Sequence, residues 1–421
     1  MVLSVTHLLT LSSLTLSALA GSYKLLKDIQ GHDFLEESVF SFEAIPDPTQ
    51  GRVNYVSRSV AEGLNLTFAS KDTFILRADA RSILSSSGPG RKSVRLKSVQ
   101  DYKQHVAVFD IRHMPVGCGT WPAVWEVGEN WPNNGEIDIL EGVNDRGPNA
   151  ATLHTSAGCT APKGRPGQTG EQVQENCDAK VNGNVGCPVK MSDSKSYGPE
   201  FNAAGGGWYA VERSDIAINV WFWSRGSAKV PSAVKNGAKN VDPSTWGTPQ
   251  AHFPSTSCNL NKHFGPQNII INLTFCGTWA GNVFSSVPSC KEKGSCVNYV
   301  NQNPHAFEDA FFDFAAIRTY VPGAAAPVPP QDTPDTTNTA ETISTSISTS
   351  TTDATATADA NPTADTTTAD ATPTTPTGDT TAATDTTAQT TAEGTPAAET
   401  TTTNTAAATT ASPDLNSPGD A

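Results

Sequence analysis

The sequence predicts an all-β sandwich or barrel over residues 21–322, and three observations carry this prediction. Short apolar or alternating runs recur between Gly, Pro, Asn and Ser residues, which is the pattern of short strands joined by turns. The same stretch lacks the long periodicity of amphipathic helices. The composition then changes near Gly323, where Thr, Ala, Asp and Pro begin to dominate. We therefore expect the folded part of the chain to end near Pro322.

Nine runs have the length and the β-branched or aromatic content of strands. In chain order they are RVNYVS (52–57), LNLTF (64–68), TFILRA (73–78), SVRLKS (93–98), HVAVFDI (105–111), WYAVE (208–212), IAINVWFW (216–223), NIIINLTF (268–275) and FFDFAAIRTY (311–320). The Gly- and Pro-rich segment from Gly158 to Gly207 separates the early runs from the later ones and is predicted to form long loops.

Two of these runs contain N-glycosylation acceptors, Asn65 with Thr67 and Asn272 with Thr274. Residues two apart on a strand share a face. The opposite face then receives the apolar members of the two runs, Leu64, Leu66, Phe68, Ile271 and Leu273. We expect glycans at both acceptors to hang from an outer face and not from a cleft.

The two ends of the chain differ from its middle. Residues 1–20 form a short apolar run that ends in small residues, which is typical of a signal peptide cleaved before Gly21. Residues 323–421 cannot bury enough apolar surface to offset the entropy of ordering, so we expect a disordered, O-glycosylated tail. No other run predicts a membrane span, and the polar C-terminus does not resemble a GPI signal. These features predict a secreted, extracellular protein, released or associated with a cell wall.

The cysteines and the charge agree with that compartment. Eight cysteines, at 118, 159, 177, 187, 258, 276, 290 and 296, lie within 21–322. They form no C-x-x-C pair, so disulfides are favoured over a zinc site, although 105 pairings stay open. A formal charge of -14 disfavours nucleic acid as a partner and suits a neutral or basic polymer.

The run NGEIDILEG, residues 134–142, combines three carboxylates with residues suited to burial. On a regular strand Glu136 and Asp138 share one face, and Glu141 falls on the other. One extra residue at Ile139 or Leu140, a β-bulge, returns Glu141 to the face of the first two acids. The alternative is an edge strand with its acids in solvent. Three like charges on one face of a sheet repel one another, so such a cluster indicates a function for the acids.

Glycoside hydrolysis with retention uses two carboxyl groups about 5 to 5.5 Å apart, one as nucleophile and one as acid/base. Glu136 fits the ionised nucleophile and Glu141 the protonated acid. Asp138 is expected to hydrogen-bond Glu136, while the shared negative charge raises the proton affinity of Glu141. A calcium loop is the competing interpretation of the acids, but the spacing lacks the order of such a loop. We predict no metal and no cofactor; a structural calcium elsewhere is left open.

The acidic run resembles a known family. GEIDILEG matches the bulged E-x-D-x-x-E signature of glycoside hydrolase family 16. The block HMPVGCGTWPAVWEVGENWPNNGEIDILEGVND (113–145), together with GRVNYV (51–56), RKSVRLKS (91–98) and GGGWYAVERS, is similar to its fungal laminarinase-like endo-1,3(4)-β-glucanases. The resemblance implies a concanavalin-like β-jelly-roll sandwich with a concave substrate cleft. It also implies a covalent glycosyl-enzyme intermediate, with Glu136 as nucleophile, Asp138 as the assisting acid and Glu141 as acid/base.

Aromatic residues near the acids are candidates for sugar binding. Trp121, Trp125 and Trp131 precede the carboxylates, and flat rings stack on the apolar faces of sugars; core filling is the alternative for each. Trp131 lies in a Pro- and Asn-rich loop, which favours substrate contact. Trp279 resembles a cleft aromatic of the family. Trp221 and Trp223 stay unassigned because the inward face of their strand is not evident.

Three further polar residues are candidates for substrate binding. His154 is predicted on the strand beside the acids and resembles the family's cleft histidine, although a lone histidine is more often structural. Arg91 and Arg95 are candidate donors to sugar hydroxyls, with surface cations as the alternative.

The acids predict a retaining glycoside hydrolase, and the resemblance implies that it acts endo on β-1,3 and mixed β-1,3-1,4 glucans. Its partner is a β-glucan polysaccharide, and the chain is expected to be a monomer without membrane or nucleic-acid partners. Two alternatives remain, a cell-wall glucan transglycosylase and a non-catalytic glucan-binding wall protein. The intact set of acids disfavours the binding protein, whereas the residues alone do not separate hydrolysis from transglycosylation.

Overall fold

The computed structural model describes residues 22–323. The predicted signal peptide, 1–20, and the predicted tail beyond Gly323 lie outside the described residues.

Strands dominate the described part of the chain. They are β1 (Tyr23–Ile29), β2 (Phe40–Phe42), β3 (Val53–Tyr55), β4 (Thr67–Ala69), β5 (Phe74–Arg77), β6 (Arg91–Ser93), β7 (Arg95–Tyr102), β8 (His105–His113), β9 (Thr120–Gly128), β10 (Glu136–Glu141), β11 (Ala150–His154), β12 (Glu171–Gln172), β13 (Val189–Lys190), β14 (Gly207–Arg213), β15 (Ala217–Ser224), β16 (Asn240–Val241), β17 (Ala251–Pro254), β18 (Gln267–Phe275) and β19 (Phe311–Pro322).

The helices are short and lie between strands. The α-helices are α1 (Arg58–Gly63), α2 (Gly198–Ala203), α3 (Ser232–Lys235), α4 (Leu260–His263), α5 (Pro288–Lys291) and α6 (Cys296–Gln302). Single 3-10 turns occupy Gly31–Leu35, Ser194–Ser196, Pro243–Thr245, Phe284–Ser286 and Pro304–Phe307, and a π-turn occupies Gly277–Gly281. Within residues 22–323, no helix has both the length and the apolar content needed to cross a membrane.

Two sheets form the sandwich. The eight-stranded front sheet has the order β12-β13-β11-β10-β9-β18-β7-β2. The nine-stranded back sheet has the order β16-β1-β19-β8-β14-β15-β17, with β5 joining β19 and β4 joining β5. Strand pairing within both sheets is antiparallel, while β3 and β6 form a separate parallel pair. The predicted all-β sandwich is confirmed.

The main core lies between the sheets and follows from strand alternation. Val124, Ile137 and Ile271 of the front sheet and Phe109 and Phe222 of the back sheet belong to one buried cluster. Alternate residues of the front sheet point the other way, onto a surface that we call the cleft face. The back sheet likewise has an outer face.

The outer face of the back sheet carries a second apolar cluster. Trp221 and Trp223, which the sequence left unassigned, point outward from β15 and pack with Trp208 of β14. Trp246 covers them with edge-on contacts, at centroid distances of 5.3 Å to Trp221 and 5.9 Å to Trp223. Their role is therefore packing between the back sheet and the segment that crosses over it.

All eight cysteines form disulfides, as predicted. The pairs are Cys118–Cys290, Cys159–Cys258, Cys177–Cys187 and Cys276–Cys296. The segment from Gly158 to Gly207 is mostly loop, and it contains β12, β13 and α2. Two of the four disulfides hold that segment.

The glycan prediction fails at one acceptor. Ile271 and Leu273 are buried, as expected, in two neighbouring apolar clusters, but the opposite face of β18 is the cleft face, where Asn272 is 5% exposed and bonded to neighbours. A glycan on Asn272 is incompatible with this packing.

The predicted strand around the other acceptor is also wrong. The chain is helical up to Gly63, and Asn65 has a left-handed backbone with φ 56°. Only from Thr67 does a strand begin. As a result Leu66 is buried, while Leu64 and Phe68 are exposed instead of sharing a buried face. Asn65 itself lies exposed at the turn.

Candidate active site

A β-bulge at Ile139 organises the acidic run. Along the β10–β9 pair, Asp138 lies opposite Trp125 and Leu140 lies opposite Val124, so Ile139 has no partner of its own. Glu141 then lies opposite Ala123, a cleft-face position of β9. The extra residue reverses the alternation. The predicted bulge is confirmed, and it places all three acids on one face of the sheet.

Asn149 stabilises this bulge, a role that no pattern in the sequence indicates. Its side-chain amide donates to the carbonyl oxygen of Ile139 at 2.8 Å, and its side-chain oxygen accepts from the backbone N–H of Glu141 at 2.9 Å. A bulge leaves backbone groups without ladder partners, and buried groups of this kind need replacements. Asn149, itself 1% exposed, supplies both.

Each glutamate is associated with a tryptophan. The indole N–H of Trp121 donates to Glu141 Oε1 at 2.8 Å. A side-chain hydrogen bond from Trp131 favours the ionised form of Glu136. Trp131 is 44% exposed, whereas Trp121 is only 9% exposed. Trp121 therefore has little free ring face for a sugar, and its evident contact is to the carboxyl group of Glu141.

Asp138 approaches His154 rather than forming the hydrogen bond to Glu136 that the sequence suggested. Asp138 Oδ2 lies 3.3 Å from His154 Nε2, and Glu136 Oε1 lies 3.8 Å from the same nitrogen. His154 is on β11, directly opposite Glu136 of β10. The predicted neighbouring strand is confirmed, and the histidine contacts two of the three acids.

Burial raises the proton affinity of the whole group. The pKa of Glu136 rises to about 8, first because of burial and then because of the negative charge of Asp138. Burial alone raises the pKa of Asp138 to about 8. Burial and then Asp138 raise the pKa of Glu141 to about 8, opposed by the hydrogen bond from Trp121. Removing water disfavours each charged carboxylate, so the group holds protons at pH values where isolated acids are ionised.

Trp125 is fixed by polar neighbours on the cleft face. Its indole N–H donates to Asn272 Oδ1 at 2.7 Å, and the Arg95 guanidinium lies 5.0 Å from its ring centroid. Arg95 also pairs with Glu43 at 2.7 Å. The Asn272 amide in turn donates to Tyr55 Oη at 3.1 Å. Trp125 and Arg95 thus belong to one rigid platform beside the acids.

Trp279 joins the other end of the acidic group. Its ring meets Trp121 edge-on at a centroid distance of 5.4 Å. It is partly buried and follows β18 in the π-turn. Trp279 therefore lies close to the Glu141 side of the group.

Arg91 does not reach the cleft face, so its predicted substrate contact is wrong. The side chain is fully buried and donates to the backbone oxygens of Val300 and Asp79. It also stacks over Phe307 at 4.9 Å. Because its guanidinium is used by these contacts, Arg91 holds loops together and is neither a sugar donor nor a surface cation.

One group in the described residues has the spacing of a cation site, namely Glu136, Asp138 and His154, with one ligand atom each lying within 4.8 Å of the others. These are the same atoms that face one another in the acidic group. Their spacing suits the sharing of protons as well as the binding of a cation.

Three asparagines that bond site residues are not among the residues predicted for the site, namely Asn149, Asn184 and Asn272. For Asn272 a signal existed: its neighbours Ile271 and Leu273 are apolar, so its side chain must point away from the core. Only the strand order shows that this direction is the cleft face. Asn149 and Asn184 lie in loops without any periodic signal.

Comparisons with known proteins agree with this geometry. Residues 40–320 match the family model described as the XgeA-like catalytic GH16 domain. A probable endo-1,3(4)-beta-glucanase of Neosartorya fischeri is 42% identical over 336 residues, covering 77% of this chain and 50% of the relative. An endo-1,3(4)-beta-glucanase of Arthroderma benhamiae is 40% identical over 332 residues, covering 76% and 71%. The chain thus spans about half the length of the first of these relatives.

Solved structures show the same fold. Laminarinase 16A of Phanerochaete chrysosporium, solved with two β-glucans in its donor and acceptor sites, is 53% identical with a TM-score of 0.69, covering 71% of this chain and 100% of its own. An elongating family 16 β-1,3-glucosyltransferase is 38% identical with a TM-score of 0.65, with the same coverage. With its matching domain, its sandwich and its bulged acidic strand, the chain belongs to glycoside hydrolase family 16.

Proposed function

We propose that this protein is an endo-acting, retaining hydrolase of β-1,3 and mixed β-1,3-1,4 glucans. The observation that carries the proposal is the bulge at Ile139, which turns Glu141 onto the face that holds Glu136 and Asp138. Retention requires two carboxyl groups on one side of a cleft. The names of the most similar relatives and of the laminarinase support β-glucan as the substrate class.

The proposed chemistry has two displacements. A carboxylate oxygen of Glu136 attacks the anomeric carbon, the glycosidic C–O bond breaks, and Glu141 gives its proton to the departing oxygen. Water then attacks the glycosyl ester, Glu141 takes the proton from that water, and Glu136 leaves as a carboxylate. The raised pKa of Glu141 lets it hold the proton that an acid must give. Because the pKa of Glu136 is raised to the same value of about 8, the two roles rest on the positions of the acids in the family motif and not on their pKa values. His154 and the Trp131 indole favour the ionised form of Glu136.

The cleft face supports a role in sugar binding. Trp131 offers an exposed ring at the mouth of the site, and Trp125 offers a half-buried ring that Asn272 and Arg95 hold in place. Rigid aromatic rings suit the flat faces of glucose units. Trp279 extends the surface on the Glu141 side.

The test is reducing-end release from laminarin and from barley β-glucan by the full chain and by its Glu136→Gln variant. Glutamine has the shape of glutamate without the nucleophile's charge, so we expect turnover to fall at least about a thousandfold while glucan binding remains. The ratio of the two substrates gives the linkage preference. The anomer formed first, read by NMR, reports retention.

The matched control is Glu212→Gln. Glu212 is a partly buried acid with a raised pKa, but it lies on β14 of the back sheet and bonds Tyr23 and Asn219. We expect this variant to keep its activity. Equal losses in both variants, or full activity of Glu136→Gln, would contradict the assignment of the nucleophile.

Transfer to a second sugar is the other candidate function. It is favoured by the glucosyltransferase neighbour, which shares 38% of its residues with this chain, and it uses the same covalent intermediate. Incubation with a short laminari-oligosaccharide separates the two functions, since a transferase yields products longer than the starting sugar. Shortened products alone support hydrolysis.

The setting of this activity is proposed to be extracellular. Four disulfides in the described residues suit an oxidising compartment, and the predicted signal peptide agrees with it. The exposed Asn65 is the acceptor that we expect to carry a glycan. We propose a monomer, for which one glucan chain is the partner.

A further inference from the structure

We propose that Asn184 is a positioning residue for catalysis, because it fixes the ring orientation and the tautomer of His154 beside the acids. The inference rests on the proposed function. Asn184 Oδ1 lies 2.9 Å from His154 Nδ1, on the side of the ring opposite the carboxylates. Asn184 itself reaches no acid in this contact, so it acts through the histidine.

The contact decides which ring nitrogen carries the proton. An amide oxygen only accepts hydrogen bonds, so His154 Nδ1 must donate to Asn184. The other nitrogen, Nε2, faces Asp138 at 3.3 Å and Glu136 at 3.8 Å. With Nδ1 turned toward Asn184, Nε2 is the ring nitrogen that is presented to Asp138 and Glu136. The contact with Asn184 thus sets how the imidazole meets the acids, without touching them itself.

The loop that delivers Asn184 is fastened on both sides of His154. The disulfide Cys177–Cys187 closes it. The N–H of Cys187 donates to Leu153 O at 3.1 Å, and the N–H of Thr155 donates to Cys177 O at 2.8 Å. The two ends of the loop are thus tied to the residues immediately before and after the histidine.

The backbone of this loop also requires particular residues. Asn184 has φ 63°, a left-handed conformation that Asn and Gly tolerate. Gly186 has φ 67°, and a Cβ there would lie 2.8 Å from His154 Cε1 and 2.6 Å from Leu153 O. Only glycine lets the loop lie directly over the imidazole. Disulfide, glycine and asparagine together serve the placement of one ring.

The experiment compares Asn184→Gly and Asn184→Asp with the unchanged full chain on laminarin. Glycine keeps the left-handed backbone and removes the acceptor, so we expect kcat to fall about tenfold, the effect of one lost hydrogen bond, with KM changed less than about twofold. Aspartate restores an acceptor oxygen, and we expect it to recover most of kcat. The matched control is Asn182→Gly, an exposed left-handed asparagine of the same loop with φ 52°.

A second readout does not depend on turnover. Imidazole 15N chemical shifts report which ring nitrogen is protonated, and we expect one histidine to change in Asn184→Gly and none in Asn182→Gly. An unchanged kcat and unchanged 15N shifts in Asn184→Gly would overturn the proposal, as would equal losses in the two glycine variants or no recovery with aspartate. If the unchanged full chain is inactive on every glucan, the proposed function is wrong instead. The 15N shifts then still test the contact between Asn184 and His154.

Discussion

The tryptophans of the two sheets are used in opposite ways. On the cleft face, the indole N–H of Trp121 donates to Glu141 and that of Trp125 donates to Asn272. On the outer face of the back sheet, Trp246 packs edge-on against Trp221, and its buried N–H finds no hydrogen-bond partner among residues 22–323. The first pair donates to polar side chains of the site, whereas the second packs ring against ring, and the Trp221 N–H donates only to a backbone oxygen, that of Gly247.

This difference indicates that the tryptophans of the two sheets have different roles. A hydrogen bond from an indole fixes the carboxyl oxygen that it meets, and it stabilises negative charge there. Ring-on-ring packing mainly removes apolar area from water and has weaker directional demands. We therefore expect changes on the cleft face to alter rate and pH response, and changes on the outer face to alter stability.

The largest expected effect is on the outer face. Trp246 is 5% exposed and covers Trp221 and Trp223, so Trp246→Ala should lower the free energy of unfolding by about 3–5 kcal/mol. Urea unfolding measures it. Because these rings lie on the sheet opposite the acids, kcat at a temperature where the variant is folded should not change. A large fall in kcat of the folded variant would break the contrast between the sheets.

The next effect is the pH dependence of stability, which the cleft face should dominate. The pKa values of Glu136, Asp138 and Glu141 rise in the folded state to about 8, well above ordinary values near 4. The folded chain thus binds more protons than the unfolded chain between these limits. The contribution of these three acids to the free energy of unfolding is therefore fully present below about pH 4, and it is lost as the pH rises through about 8.

Unfolding free energies at pH 5 and pH 8 measure this dependence. We expect a lower value at pH 8, by an amount on the order of 1–3 kcal/mol because the three acids share their protons. Glu136→Gln removes one of them and should reduce the difference. An equal difference in Glu136→Gln would mean that acids elsewhere, such as Glu212 on the back sheet, carry the effect.

The sequence predictions succeed where a local rule of strand geometry decides and fail where the order of the strands decides. Alternation within β10 predicts the bulge, because a local rule of strand geometry governs which acids share a face. Alternation within β18 correctly separates Asn272 from Ile271, but it cannot say that the polar side is the cleft face, since that depends on the order of strands in the sheet. The wrong placement of its glycan has this cause.

Arg91 and Asn149 show a second limit. The burial of Arg91 depends on Val300, 209 residues away, and the role of Asn149 depends on backbone groups that only the bulge exposes. Such bonds join loops to distant parts of the backbone, and they produce no periodic pattern in the sequence. The sequence therefore identifies the acids, but it does not identify the asparagine side chains that position them.

The smallest expected effect gives the most direct comparison, because the same chemical change is made on each sheet. Trp121→Phe removes the N–H that donates to Glu141 at 2.8 Å, and Trp221→Phe removes the N–H that donates to Gly247 O at 2.9 Å. Each variant loses one hydrogen bond, worth about 1 kcal/mol, and keeps an aromatic ring.

We expect kcat on laminarin to fall about tenfold in Trp121→Phe, because Glu141 loses its fixed donor. In Trp221→Phe only the free energy of unfolding should fall. If both variants lost activity alike, the indole of Trp121 would be acting through packing, and the distinction between the two sheets would not hold.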